Sequence, residues 1–287
     1  MQIVHIHHPY IPEKLTTTPC VLTLGFFDGV HRGHQAVIKR GYTAAKQQHL
    51  PLAVMTFNQH PRLVFRKLAY PETTYLSTLS QKEQLLEQLG VAILYVIDFT
   101  SAFASLTPAT FVEQYIVGLN AQTVVAGFDY TFGNQPAHVI DLATYAHNRF
   151  QTLIVSRETD AALKISSSRI RTLFEHGDLQ QANQLLGYVY TTTATVLPGS
   201  HVASELQVDP ASRLPIAGQY NARLKFAGQW YRATITVPRI HTDQRIQLTS
   251  SEVPQPIFGE TVILAWLNNL DQAEQLPVSS LGAYPTR

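Results

Sequence analysis

In the stretch Val21 to His34, VLTLGFFDGVHRGH, an apolar run ends on a glycine and leads to an aspartate and two imidazoles. Asp28 supplies a carboxylate, and His31 and His34, three apart, can share one face of a helix and reach one target. Gly29 and Gly33 keep side chains away, so that a ligand can touch backbone. Where a strand turns into a helix, unpaired N–H groups and the positive end of the helix dipole attract anions, phosphate above all. Two imidazoles there would donate hydrogen bonds to a phosphate as charge builds during its transfer. Paired histidines also suit a metal, with Asp28 as the nearby carboxylate, and incidental surface placement is a third reading. No Gly-Lys-Ser/Thr follows the glycines, which excludes a Walker loop, and no G-x-G-x-x-G marks a dinucleotide site. Phosphate handling without a lysine cradle is the chemistry these residues imply.

Such a corner needs a sheet to hold it. Runs at Val21–Leu24, Leu52–Phe57, Ala92–Ile97, Thr123–Ala126 and Leu153–Val155 are short, apolar and rich in branched or aromatic residues, as central parallel strands are. Amphipathic stretches lie between them. Ala36, Val37, Ile38, Tyr42 and Ala45 recur at helical spacing; STLSQKEQLLEQLG offers a Ser80/Glu83 capping box and ends on Gly90; Thr107–Pro108 offers an N-cap followed by proline. Strand alternating with helix predicts a doubly wound α/β sheet, which binds ligands at its carboxyl edge, where Gly25 and the FFDG turn fall.

The pattern changes after Tyr190. TTTATVL, QYNARLKF, QWYRATITV, RIQLTS and ETVILAWL read as strands, with turns at Pro198–Gly199, Ala217–Gly218, Ala227–Gly228 and Phe258–Gly259. A second, mostly β domain follows a short helix at DLQQANQLLG, capped by Asp178 and closed by Gly187. The expected division is therefore 1–187 and 188–287. A length of 287 residues suits two domains.

With 45% hydrophobic residues, 14% charged and a net charge of +1, the chain has material for cores but no field that points to nucleic acid or membrane, so small-molecule substrates are the expected partners. Cys20 is the only cysteine, so an intramolecular disulfide and a thiolate-rich metal site are excluded. The start, MQIVHIHHPYIPEKL, shows no leader pattern, and a cytoplasmic protein is expected. Its His5–His8 cluster reads as an edge strand with exposed imidazoles rather than a metal site.

GFFDGVHRGH resembles the H-x-G-H signature of nucleotidyltransferases, in the G-x-F-D-G-V-H-x-G-H form of the prokaryotic FAD synthetases, which are bifunctional riboflavin kinase/FMN adenylyltransferases. TFNQHPRLVF at Thr56–Phe65 is similar to that family's T-F-x-P-H-P segment, GFDYTFG at Gly127–Gly133 to its flavin-site segment, ISSSRIR at Ile165–Arg171 to its I-S-S-T-x-I-R motif, and GDLQQANQLLGYVY to its interdomain segment. The resemblance implies a Rossmann-like nucleotidyltransferase domain with a parallel sheet, then a smaller riboflavin kinase-like β-barrel. It implies ATP and FMN as substrates, FAD as product, and Mg²⁺ on the triphosphate. His31 and His34 would stabilise the α-phosphate, while Ser167, Ser168 and Arg171 would take the β- and γ-phosphates. Gly25, Phe26, Phe27, Asp28 and Gly33 would shape the nucleotide corner, Asp28 anchoring either loop or nucleotide. His60 and Arg62 would meet the FMN phosphate. Gly127, Phe128, Asp129 and Phe132, with Phe57, would meet the flavin by hydrogen bonds or stacking. The family's kinase motif G-R-x-x-G-F-P-T-A-N is missing after Thr193, although PIAGQY and IFGETVILAWL keep the strand framework. Neither Glu252 nor Glu260 is an assured base, so loss of kinase activity is expected. A fully bifunctional riboflavin kinase/FAD synthetase, another phosphorylated acceptor, and flavin and nucleotide binding without turnover are the alternatives.

Overall fold

The computed structural model describes residues 1–10, 17–135, 137–198, 203–239, 243–250, 252–253 and 257–271. They form two compact units, the first made of Met1–Arg171, Leu185–Gly187 and Ala211–Arg213, the second of Thr172–Gln184, Tyr188–Pro210 and the chain from Leu214 on.

In the first unit, strands β1 (Gln2–Ile6), β2 (Cys20–Leu24), β3 (Leu52–Phe57), β4 (Ile93–Ile97), β5 (Ala121–Gly127) and β8 (Gln151–Val155) make a six-stranded sheet in the order β1-β4-β3-β2-β5-β8. Every neighbouring pair is parallel. Short hairpins β6 (Thr131–Phe132) with β7 (Ala137–His138) and β9 (Thr159–Asp160) with β10 (Leu163–Lys164) follow the carboxyl ends of β5 and β8. The predicted apolar runs are these sheet strands. Those in β2, β3, β4 and β5 read as continuous apolar segments because both faces are covered, whereas β8, expected among the central strands, is an edge strand with Gln151 and Ile154 exposed. Val21, Val54, Leu94, Val96 and Val125 pack on one side, and Leu22, Leu24, Met55, Tyr95 and Val124 on the other. The His5–His8 segment is an edge strand and its exit, with His5 and His7 exposed and His7 Nδ1 2.8 Å from Asp98 Oδ2.

The helices are α1 (Arg32–Gln48), α2 (Arg62–Phe65), α3 (Leu79–Gln88), α4 (Ser101–Ala104), α5 (Pro108–Phe111, continued by a π turn over Val112–Val117), α6 (Leu142–Ala146), α7 (Ser167–His176) and α8 (Leu179–Leu186). The strand order turns at β2: the chain first moves outward to β3 and β4, then returns to the other side of β2 with β5. The corner after β2 thus opens at the sheet's switch point, where neighbouring connections diverge and leave room for a ligand.

The α3 cap differs from expectation. The box is Thr78/Gln81, not Ser80/Glu83: the Thr78 hydroxyl accepts from the Gln81 N–H and the Gln81 side chain accepts from the Thr78 N–H at 2.9 Å. Both pairs have the same spacing, and packing decides between them. A helix begun after Thr78 carries Leu79, Lys82 and Leu86 onto one inward face, which a cap at Ser80 would break. Thr107 caps α5 as expected, accepting from the Thr110 N–H at 3.1 Å, and Asp178 caps α8, accepting from the Gln181 N–H at 3.0 Å.

The second unit holds a closed barrel in the order β11-β12-β15-β14-β13-β16, from β11 (Thr191–Val196), β12 (Ala203–Val208), β13 (Gly218–Phe226), β14 (Gln229–Val237), β15 (Arg245–Thr249) and β16 (Thr261–Asn269). Strand β12 was not anticipated, because a serine occupies one of its inward positions: Ser204, Leu206 and Val208 are all buried and alternate with Glu205 and Gln207. Ala227 and Gly228 form the β13–β14 turn, both at positive φ, as a tight two-residue hairpin demands. Gly199 of the expected Pro198–Gly199 turn lies outside the described residues. Inside the barrel, the Trp266 indole N–H donates to the Thr192 hydroxyl at 2.9 Å.

Replacing Thr78 by alanine removes one half of the α3 box. Urea unfolding is expected to show a loss of about 1 kcal/mol, and Ser80→Ala to show almost none.

Candidate active site

The corner between β2 and α1 is bent more sharply than glycine content alone would suggest. Phe27 lies in the left-handed region at φ 56°, and Val30, a β-branched residue, at φ 36°. Each such residue costs of order 1–3 kcal/mol, so the surroundings must over-determine the bend. They do so from three sides. From the segment leading into α3, the Leu76 N–H donates to Asp28 Oδ1 at 2.9 Å and the Ser77 hydroxyl accepts from the Gly29 N–H at 2.9 Å. From α7, Arg171 pairs with Asp28 Oδ2 at 2.7 Å, and the Ser167 hydroxyl donates to the Asp28 carbonyl at 3.0 Å. From β3, the Thr56 hydroxyl donates to the Phe26 carbonyl at 2.8 Å, beside Lys82 Nζ at the same distance.

Gly25 is required by contact: a Cβ there would lie 2.6 Å from the Phe27 ring, which folds back under it. Gly29 needs its φ of +77°, and a Cβ would come within 2.9 Å of Leu76. At Gly33 a Cβ would press on the His31 ring at 3.2 Å.

His31 is the N-cap of α1. Its Nδ1 accepts from the His34 N–H at 3.3 Å, so the neutral ring carries its proton on Nε2. The two imidazoles stack, centroids 3.6 Å apart and planes 17° from parallel, and the Phe27 ring stands edge-on to His34 at 5.3 Å. Burial pushes the His31 pKa down to about 4, and nearby Lys164 adds to that against the opposing pull of Asp28. His34 is held well below the ordinary histidine range by burial, then by His31, Lys82 and Lys164. Both rings are therefore neutral at pH 7, each with one N–H to donate, and two charges 3.6 Å apart are avoided.

The other expected residues fall around this pair unevenly. Ser167 and Ser168 open α7, Ser168 exposed and Ser167 half-buried. Ser166 caps that helix, its hydroxyl accepting from the Arg169 N–H at 3.3 Å. His60 follows β3; its ring meets the Phe26 ring edge-on at 5.0 Å, and its Nδ1 accepts from the Arg62 N–H at 3.1 Å. Burial, then Arg62, lowers the His60 pKa. Arg62 is exposed at the start of α2. Gly127 ends β5, and Phe128 and Asp129 follow it at the carboxyl edge. Phe57 and Phe132 are core residues: Phe57 packs on Phe99 and Phe103, and Phe132 on Phe111 and Tyr145.

Several residues at the corner or on the segments flanking it in sequence were not singled out from sequence. Lys164 pairs with Asp129 and lies 5.1 Å from the Phe128 ring centroid, which the Arg157 guanidinium also approaches, at 5.3 Å. Phe65, on α2, is 70% exposed. Lys82 is 3% exposed. Phe65 ends TFNQHPRLVF and Lys164 lies one residue before ISSSRIR, so a signal was at hand for both; Lys82 had no local signal, since a lysine on an amphipathic helix reads as surface.

Among the described residues, no three of His, Cys, Asp or Glu converge as metal ligands do. The acidic groups at the corner, Asp28 and Asp129, are each paired with a cation. The donor set is that of an anion site: neutral imidazole N–H groups, a guanidinium with donors to spare, two further cations and a helix N-terminus. It can bind a polyphosphate and hold donors where oxygen charge grows.

Residues 13–169 match the FAD synthetase family. A bifunctional riboflavin kinase/FMN adenylyltransferase of Listeria monocytogenes is 38% identical to the chain, over 93% of the chain and 88% of its own length. A protein named FAD synthetase from the same organism is 30% identical over 73% of the chain and 85% of its own length. A solved structure described as a macrolide-efflux protein of Streptococcus pneumoniae superposes with a TM-score of 0.86 at 31% identity, covering 99% of this chain and 94% of that one. Among the described residues, no helix is long and apolar enough to cross a membrane.

The histidine pair makes stability depend on acid. A pKa lowered from 6.5 to about 4 means that the unfolded chain takes up a proton at His31 before the folded one does, so stability is full above pH 6.5 and drains away as pH falls toward 4. Between pH 7 and pH 5, His31 alone is expected to account for a loss of about 2 kcal/mol. Urea unfolding of wild type and His31→Gln at both values measures it, and an equal decline in the two proteins refutes the neutral-ring assignment.

Proposed function

The chain belongs to the FAD synthetase family, and on that premise we propose the division of labour among its residues. The activity is FMN adenylyltransfer: an oxygen of the FMN phosphate attacks the α-phosphorus of ATP, the new P–O bond gives FAD, and the bond to the β-phosphate breaks to release pyrophosphate. No covalent enzyme intermediate is required. The catalytic work is positioning and electrostatic stabilisation of the α-phosphate as its charge grows.

The observation that carries this reading is the stacked, neutral His31–His34 pair at the mouth of α1. Neutral imidazoles donate N–H groups without competing for the proton of a phosphate, and their stacking fixes both in one orientation. Arg171 keeps donors beyond the one given to Asp28, and with Ser168 it suits the departing pyrophosphate. Ser167 is spent on the Asp28 carbonyl and shapes the loop. Lys164 and Arg157 add positive charge on the β5 and β8 side, Lys164 after exchange of Asp129 for phosphate. His60 and Arg62 suit the FMN phosphate, and Phe128 with exposed Phe65 offers aromatic faces to the flavin. Mg²⁺ belongs with the ATP it accompanies, held by phosphate oxygens and water, because the corner's carboxylates are already neutralised.

We place this chemistry in the first unit, made of Met1–Arg171, Leu185–Gly187 and Ala211–Arg213, and read the barrel of the second unit as riboflavin kinase-like. Kinase activity is lost in this reading, because the barrel sequence lacks the P-T-A-N hydroxyl and amide that would hold Mg·ATP. The bifunctional relatives favour the opposite outcome, and one assay decides. The protein is incubated with Mg·ATP and either FMN or riboflavin, and products are separated by chromatography. FAD from FMN, with no FMN or FAD from riboflavin, is expected; riboflavin consumed at a rate near that of FMN refutes the loss. His31→Ala and His34→Ala are each expected to lower kcat by about 10²–10³ while KM for ATP moves only a few-fold. Equal losses in rate and in ATP affinity would favour a binding protein without turnover.

A further inference from the structure

Lys82 sits on the inward face of α3 at 3% exposure, among the described residues without a carboxylate in ion-pair contact. Its ammonium donates to the Phe26 carbonyl at 2.8 Å and to the Thr56 hydroxyl at 3.3 Å, and stands 4.3 Å from the Phe26 ring centroid. For the fold alone this is a poor choice. A buried ammonium is expensive unless paired, and methionine would fill the same volume on α3 without that penalty. What the lysine touches is the backbone on which the site depends. The Phe26 carbonyl is the last group before left-handed Phe27, and the Phe26 ring meets His60 edge-on at 5.0 Å.

We propose that Lys82 is a positioning residue for adenylyl transfer: with the Thr56 hydroxyl it clamps the Phe26 carbonyl, fixing the strained corner that carries Asp28, His31 and His34, and setting the Phe26 ring against His60. The proposal rests on the FMN adenylyltransferase reading above. The ammonium also adds fixed positive charge beneath an anion site and favours the neutral form of His34. It faces Asp28 from the corner and Glu83 on its own helix, which hold its charge, while His34 of α1 and His60 after β3 lie within its field. Burial, opposed by Asp28 and Glu83, brings its pKa from 10.5 down to about 8. Because the folded value is the lower one, wild-type stability rises as pH climbs from about 8 toward 10.5, and Lys82→Met lacks that rise.

The test compares wild type, Lys82→Met, Thr56→Val and the double variant in FAD formation from FMN and Mg·ATP, with thermal melting alongside. Lys82→Met is expected to melt at or above the wild-type temperature at pH 7, to lose about 30-fold in kcat, and to keep KM for ATP and FMN within about three-fold. Its rate should no longer decline as pH passes about 8, the range in which Lys82 loses its charge. Thr56→Val should lose about five-fold, and the double variant should be no slower than about 50-fold, less than the product of the two, because both groups serve one carbonyl. A Lys82→Met rate within two-fold of wild type, a loss of rate that tracks a lowered melting temperature, or additive single effects overturns the proposal. Absence of FAD from the wild-type reaction overturns the adenylyltransferase reading and this role together, whereas a normal wild-type rate with an unaffected Lys82→Met overturns the role alone.

Discussion

The carboxylate of Asp28 is the constraint on which the first unit's chemistry hangs. Its two oxygens are divided between a backbone N–H ahead of α3 and a guanidinium from α7, segments separated by about a third of the length of the chain. A buried carboxylate left unpaired would be costly, so the corner, α3 and α7 must arrive together or not at all. Left-handed Phe27 and Val30 are held by this carboxylate and the Ser167 hydroxyl, and the clamp on the Phe26 carbonyl orients the peptide just before them. Fixing that backbone fixes where α1 begins, and so where the two imidazoles stand.

Charge at the corner is arranged around that constraint. Asp28 and Arg171 cancel, as do Asp129 and Lys164, which leaves Lys82 as a surplus cation within the protein. The imidazoles contribute hydrogen-bond donors and no charge, since burial and adjacent cations keep them neutral. A site assembled in this way is pre-set for an anion and needs little reorganisation when one arrives.

Much of the fold was legible in the sequence because its signals are local. The continuous apolar runs of β2, β3, β4 and β5 report burial on both faces, and the Ala227–Gly228 pair reports a tight hairpin. Strand β12 escaped because Ser204 occupies an inward position, and the α3 cap was misplaced because two boxes of equal spacing compete and only core packing chooses between them. At the site, the histidines, Asp28 and the α7 residues announced themselves by spacing and by motif. What the sequence could not convey was pairing across distance: that Asp28 is engaged by Arg171, that Phe57 and Phe132 turn into the core, and that a helical lysine, Lys82, points inward. Each depends on which element packs against which.

The place of β2 in the sheet sets how the first unit can yield to a ligand. β2 is hydrogen-bonded on both edges, to β3 and β5, and buried on both faces, so its end is among the hardest parts of this unit to displace. In the proposed reading, the two imidazoles aimed at the reacting phosphorus are mounted there, on an anvil. On the same reading, entry of two bulky substrates and exit of the dinucleotide product fall to the peripheral segments beyond β3 and β8, which carry Arg62, Phe65, Arg157 and Lys164 outside the sheet. The division resembles a vice with one fixed jaw: geometry is kept by the centre, and passage is granted by the rim.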